Sequence, residues 1–300
     1  MSGAPAAVLR AGARRIELGG RPLLMGVVNA TPDSFSDRSG GGGVEVCVER
    51  GRALLAAGAD LLDVGGESAR TDRPPVDAEE ESGRVVPVIE RLAADGAVVS
   101  VDTVRPAVAE AALGAGALMV NDTSGLRDGA MAELCARTGA ALVVMHTVGA
   151  PKEKVLDHPY GDVVADVEAG LRERMSGALE AGVAPEQLLL DPGPDFGKSP
   201  AQTIELLRGL ERLHSLGRPL LLAVSRKDFI GALTGRAPGA RGAGTLAAVG
   251  HGLDAGAAVL RVHDVAGAAD YLAVLAALRG ERAVPGDLRL APELRHEPPG

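Results

Sequence analysis

The chain has 300 residues, is 46% hydrophobic and carries a formal charge of −9, with a pI near 5.2. That length allows a large core, and the acidic balance argues against a nucleic-acid surface, which needs a basic patch. Aromatic residues make up 2% of the chain and Trp is absent, so the core has to be built from Ala, Val and Leu.

Residues 1–20 are rich in Ala and Arg, lack the apolar centre of a secretory signal, and read as a loose tail and lead-in. An apolar strand, Leu23 to Val28, then breaks at Asn29 into the polar loop Asn29-Ala-Thr-Pro-Asp-Ser-Phe-Ser-Asp37 and the glycine run Gly40–Gly43. Pro32 stops the strand, because it fixes φ and has no N–H to give a neighbour. The spacing of apolar residues predicts helices over Val44–Ala57, Glu79–Ala94, Arg105–Gly114, Ala130–Thr138, Gly161–Ala181, Ala201–Leu213, Ala243–Ala255 and Val265–Leu278. Between them lie short aliphatic runs at Leu61–Val64, Val98–Val101, Ala117–Val120, Ala141–Met145, Leu188–Leu190, Leu220–Val224 and Ala258–Leu260. Residues 281–300 mix Pro with charge and read as a tail. No window approaches the length that spans a bilayer. Cys47 and Cys135 lie far apart in apolar helical patterns, so a disulfide framework is not expected and a reducing cytoplasm fits.

Strand followed by helix, repeated about eight times, implies a parallel sheet covered by helices, and a (β/α)8 TIM barrel over residues 21–280 as one domain. An open doubly wound sheet is the alternative. Polar groups after nearly every strand favour the barrel, because closure gathers all the strand ends into one mouth. Asn29, Asp63, Asp102, Asn121, Asp191, Lys227, Arg261 and His263 would then share one concave site.

Singly, each has a plain reading: Asp102 as a helix cap, Asp191-Pro-Gly as a turn, Lys227 and Arg261 as solvated charges. Together they would be costly without a ligand. Asp and Asn match the edge of a flat heterocycle that alternates donors and acceptors. Arg stacks on rings and binds phosphate. Asn with bound water suits an Mg2+ shared with substrate phosphates. Arg70, Arg261 and His263 would neutralise a phosphate-bearing leaving group. The Phe residues are three, Phe35, Phe196 and Phe229, each in what reads as a loop motif, and Phe196 is the candidate for contact with an aromatic substrate. His146 has no partner at zinc-ligand spacing, and there is no phosphate-loop or serine-nucleophile signature.

These strings resemble the dihydropteroate synthases, of the pterin-binding barrel superfamily. The resemblance rests on Met25–Asp37, Asp63-Val-Gly-Gly-Glu-Ser68, Ser100-Val-Asp-Thr103, Asn121-Asp122, Met145-His146, Asp191-Pro-Gly193, Phe196-Gly-Lys198, Ser225-Arg-Lys227 and Arg261-Val-His-Asp264, and it runs from Leu23 to Leu278. It implies condensation of 7,8-dihydropterin-6-ylmethyl diphosphate with 4-aminobenzoate in folate biosynthesis, in a cytoplasmic homodimer, with Mg2+ and without nucleic-acid or membrane partners. Carried over by position, Asp63, Asp102, Asn121, Asp191 and Lys227 bind the pterin side and Asn29 binds Mg2+. Arg261 and His263 take diphosphate, Arg70 and the loops around Phe35 and Ser68 close over the site, and Ser225, at a helix start, takes the benzoate carboxylate. Asp102, Lys227, Arg261 and His263 are the catalytic set.

The sequence departs from the family pattern at Ala69, Thr71 and Asp72, at Asp195 in place of Gly, and at Thr203 in place of Asn. These departures keep a second expectation open: a non-catalytic or altered-acceptor pterin-binding paralogue. A pterin-dependent methyltransferase is a third, against which the Ser225-Arg-Lys227 triplet speaks.

Overall fold

Eight aliphatic runs form the parallel strands of a barrel, and amphipathic helices wrap the outside. The computed structural model describes residues 7–31, 42–67, 75–153, 155 and 158–295. Two strands precede the barrel, β1 (Ala7–Ala11) and β2 (Arg14–Leu18). The barrel strands are β3 (Leu23–Asn29), β4 (Leu61–Gly65), β5 (Val99–Asp102), β6 (Met119–Asp122), β7 (Ala141–Met145), β8 (Leu188–Asp191), β9 (Leu221–Leu222) and β10 (Val259–Val262). Their order is β8-β7-β6-β5-β4-β3-β10-β9, and a bridge between Leu190 and Leu220 brings the two ends together. The helices are α1 (Gly42–Ala56), α2 (Ala78–Ala94), α3 (Pro106–Gly114), α4 (Gly129–Thr138), α5 (Val163–Glu180), α6 (Pro200–Arg208), α7 (Asp228–Thr234), α8 (Gly242–Asp254) and α9 (Val265–Leu278).

Alternation along each strand divides the core. Leu24 and Val28, Leu62 and Val64, Val99 and Val101, and Leu188 and Leu190 point outward and pack under the helices. Met25, Leu61, Met119, Val143, Leu189, Leu221 and Val259 point inward and fill the barrel floor. Continuing the inward register toward the strand ends gives Asp63, Ser100, Asp102, Asn121, Asp191 and Arg261. The polar residues therefore stand directly above an apolar layer, on the same face of the same strands.

Helix ends follow local chemistry. Asp77 caps α2 by accepting from the Glu80 N–H at 2.8 Å, with Glu79, Glu80 and Glu81 in its first turn. Pro106 opens α3, where no N–H is needed.

The structure corrects the sequence reading in several places. Residues 7–18 are not a loose tail: β1 and β2 pair antiparallel, with Ala7 opposite Leu18. Leu9, Ala11 and Leu18 are buried against the barrel floor, and the Gly12 N–H donates to the Gly139 carbonyl just before β7. The hairpin seals the N-terminal end of the barrel, and burial of Leu9 alone stabilises the seal by about 2 kcal/mol. β9 spans only Leu221–Leu222, and α6 stops at Arg208 and continues as a 3-10 turn from Leu210 to Leu216. Helix α7 has no counterpart in the expected elements, and Phe229 is a buried core residue within it rather than a loop residue.

Candidate active site

Arg261, projecting inward from β10, organises the mouth. Its Nε donates to Asp63 Oδ2 at 2.6 Å and its Nη2 donates to Asp102 Oδ2 at 2.7 Å. Asn121 Nδ2 donates to the same Asp63 oxygen at 2.9 Å. Four strands, β10, β4, β5 and β6, are thus tied through the Arg261 guanidinium and the Asp63 carboxylate. Burial opposes the charge on Arg261, but Asp63 and Asp102 outweigh it and hold the group protonated. Burial pushes Asp102 up to about 7; Arg261 resists this, while Asp63, Glu81 and Asp122 add to it.

Beside this pairing lie unsatisfied acceptors. Asp63 Oδ1, Asn121 Oδ1 and Ser100 Oγ are buried without a hydrogen-bond partner. A buried acceptor left unpaired costs about 1–3 kcal/mol, so these oxygens call for a ligand that presents N–H groups.

Asp191, at the end of β8, is buried, and its Oδ1 accepts from the Gly193 N–H at 2.7 Å. Burial raises its pKa, against the pull of that N–H and of Lys227, Arg261 and Lys198. Gly193 has φ +63°, and a Cβ there would sit 2.1 Å from the His146 carbonyl oxygen, so the turn requires glycine. Lys227 lies with Nζ 4.2 Å from the centre of the Phe196 ring. Burial lowers its pKa, against Asp195 and Asp191.

Ser225 is not at a helix start: it lies before Lys227, the N-cap of α7, with Arg226 at φ +59° between them. Its hydroxyl accepts from the His263 backbone N–H at 3.2 Å and lies 3.0 Å from His263 Nδ1. Burial, then Arg261, Arg226, Lys227 and Arg50, pushes the His263 pKa down to about 4. His263 is therefore neutral at pH 7, a hydrogen-bonding ring rather than a cation. Asn29 is exposed at the end of β3. Arg70, Phe35, Ser68, Ala69, Thr71 and Asp72 lie outside the described residues.

Sequence reasoning missed Lys198. It is buried, and its Nζ donates to the carbonyls of Gly193 at 2.9 Å and Phe196 at 3.0 Å and to His146 Nδ1 at 3.0 Å. It holds the turn that carries Asp191 and Phe196. Its only signal was the Phe196-Gly-Lys198 string. Burial lowers its pKa to about 7, and burial beside this cation and Arg174 lowers that of His146 to about 2. His146 is thus a neutral acceptor for Lys198.

The pair His146 and His263 fixes an acid limit. Both bind protons less readily folded than unfolded, so stability rises with pH from about 4 to 6.5 and falls on acidification through that window. His146→Gln keeps an acceptor without the titration. It is expected to flatten the slope of urea-unfolding free energy against pH by roughly 1.4 kcal/mol per pH unit in that window. An unchanged slope would place the acid sensitivity elsewhere.

The departures at Asp195 and Thr203 prove to be one feature. The Thr203 hydroxyl donates to Asp195 Oδ1 at 3.1 Å and accepts from the Asp195 N–H at 3.1 Å.

Comparison with known proteins agrees with this geometry. Residues 25–263 match the family model described as pterin binding enzyme. A dihydropteroate synthase from Neisseria meningitidis serogroup C is 42% identical over 276 residues, which is 89% of this chain and 96% of the relative. The structure of Xanthomonas albilineans dihydropteroate synthase with 4-aminobenzoic acid is 46% identical, with a TM-score of 0.86 over 93% of this chain and all of that one. The same enzyme with 7,8-dihydropteroate matches at 45% identity with a TM-score of 0.81, over 92% of this chain.

Proposed function

The chain belongs to the pterin-binding enzymes as a dihydropteroate synthase, and on that premise we propose how its own residues divide the work. The reaction joins the methylene carbon of 7,8-dihydropterin-6-ylmethyl diphosphate to the amine of 4-aminobenzoate. The carbon–oxygen bond breaks with its electron pair leaving on diphosphate, a carbon–nitrogen bond forms, and the amine loses a proton. The observation that carries the assignment of roles is the set of unpaired acceptors at Asp63 and Asn121, flanked by Asp102, Asp191 and Arg261.

On this reading, Asp63, Asp102, Asn121 and Asp191 receive the N–H groups of the pterin, with Lys227 supplying a donor. Arg261 lies in the mouth and covers the ring when it leaves its carboxylates. The cation formed as diphosphate departs is delocalised into the pterin, and the nearby carboxylates favour it. Catalysis is then charge stabilisation and placement, with no covalent intermediate. Arg261 and the neutral His263 ring meet the diphosphate, and Arg70 is assigned to the same role. Phe196 and Ser225 take the aminobenzoate side.

Among the described residues no cluster of three His, Cys, Asp or Glu could hold a metal ion. An exposed amide at Asn29 suits instead an Mg2+ that arrives with the diphosphate and keeps its waters. Bound there, the ion would neutralise part of the diphosphate charge. Among the described residues no helix is long and apolar enough to cross a membrane, and the two cysteines are buried and unpaired. Buried, unpaired thiols suit the reducing cytoplasm proposed for this chain.

The test is direct. Purified protein with pterin diphosphate, 4-aminobenzoate and Mg2+ is expected to yield dihydropteroate and diphosphate in equal amounts. Diphosphate alone would mean a different acceptor, and neither product would overturn the reading.

A homodimer is part of the same proposal. Val274 and Leu278, four residues apart on one face of α9, are 59% and 80% exposed, an apolar pair that a second copy would cover. Light scattering is expected to give the mass of two chains. Val274→Asp with Leu278→Asp should give the mass of one, and an unchanged mass would move the interface elsewhere.

A further inference from the structure

Asp195 adopts φ +64°, a left-handed conformation that favours glycine. Backbone preference alone would make aspartate a poor choice there. Its side chain compensates through several contacts. Oδ1 accepts from the buried Thr203 hydroxyl at 3.1 Å, and Oδ2 accepts from the backbone N–H groups of Asp228 at 2.5 Å and Phe229 at 3.3 Å. Those N–H groups open α7, whose N-cap, Lys227, makes no side-chain cap bond of its own. The Asp228 carboxylate is turned away, toward Arg241 Nη1 at 2.8 Å. The turn after β8 is thereby fastened to the turn after β9. Phe196 follows Asp195 directly and Lys227 precedes Asp228 directly, so the fastening fixes the pair whose ring and ammonium lie 4.2 Å apart.

We propose that Asp195, anchored by Thr203, is a positioning residue that sets Phe196 against Lys227 and so shapes the aminobenzoate half of the site. The proposal rests on the synthase reading above. Asp195 does not touch substrate; it acts through Phe196 and Lys227. It also places a negative charge beside Lys227. The other titratable or charged groups facing that ammonium include Asp191 from β8, Lys198 in the turn after it, Arg261 from β10, His263 just beyond it and Asp228 of α7. Of the carboxylates, Asp195 and Asp191 do most to keep Lys227 protonated against its burial.

The experiment is steady-state kinetics of the full chain with both substrates, for Asp195→Gly, Asp195→Asn, Thr203→Val and Thr203→Ser, with thermal unfolding of each. Asp195→Gly relieves the backbone, so its unfolding temperature is expected to hold while KM for 4-aminobenzoate rises about tenfold, the effect of losing roughly one charge-assisted bond. KM for pterin diphosphate should rise less, by about threefold, because Lys227 keeps Asp191 beside it and its donor to the pterin, while Phe196 loses its fixed place. The alkaline limb of kcat/KM should move to lower pH in Asp195→Gly and Asp195→Asn, because Lys227 loses a neighbouring anion. Thr203→Val should reproduce part of the KM change and Thr203→Ser should restore it. If Asp195→Gly alters neither KM nor the pH profile, or raises both KM values equally, the positioning role is wrong. If the unsubstituted protein makes no dihydropteroate, it is the synthase reading that fails.

Discussion

Arg261→Met is expected to abolish turnover and to cost about 3–5 kcal/mol of stability, because it leaves carboxylates in the mouth without their cation. Asp63 is fully buried and Asp102 half-buried, and both bond the same guanidinium. The pH dependence has a definite sign. With Arg261 gone, the folded pKa of Asp102 rises above its present value of about 7, still further above that of an unfolded carboxylate. The native state then holds the extra proton, so stability falls as pH rises and the deficit shrinks as pH falls. Urea denaturation at several pH values checks this. Arg261→Lys keeps the charge without the two-pronged geometry, and is expected to recover stability better than turnover. Equal stability of Arg261→Met and the unsubstituted chain at alkaline pH would show that the carboxylates are not held by this contact.

Lys198→Met is expected to lower kcat/KM by roughly a hundredfold, through misplacement of the turn rather than loss of a substrate contact. The buried ammonium satisfies the Gly193 and Phe196 carbonyls and His146 Nδ1 together. Methionine fills similar space but offers no donor, so those acceptors are stranded at about 1–3 kcal/mol each, partly offset by removal of a desolvated charge. Removing the cation also relieves His146. Its pKa should climb from about 2 toward the ordinary value, visible as a histidine resonance that titrates at higher pH. Full activity with an unmoved histidine would show that Lys198 does not hold the turn.

The barrel was legible because its strands are short aliphatic runs separated by amphipathic helices, and because Asp63, Asp102, Asn121, Asp191 and Arg261 all stand at strand ends. Period-two alternation placed them on the inward face once the strands were paired. The hairpin was missed for a physical reason. Leu9, Ala11 and Leu18 sit among Arg and Ala, and the apolar floor that they cover is assembled from strands far along the chain. Ser225 was expected at a helix start on the family resemblance alone, as a group for the benzoate carboxylate. The left-handed Arg226 lengthens the turn and gives that place to Lys227. Lys198, one of the chain's four lysines, shows no duty in the sequence until its carbonyl partners converge on it. Asp195 reads as an added charge until α7, 33 residues on, presents its N–H groups.

The apolar side chains that fill the barrel floor, sealed beneath by the hairpin, make the molecule a cup with a single mouth. Two reactants and two products must share one doorway. On the proposed assignment the pterin lies deepest, over Asp63 and Asn121, and the aminobenzoate sits nearer the rim, by Phe196. The occupant of the floor must enter before the rim is filled. A queue of this kind is expected to give parallel-free, ordered kinetics, in which excess 4-aminobenzoate delays the pterin behind it instead of hastening the turnover.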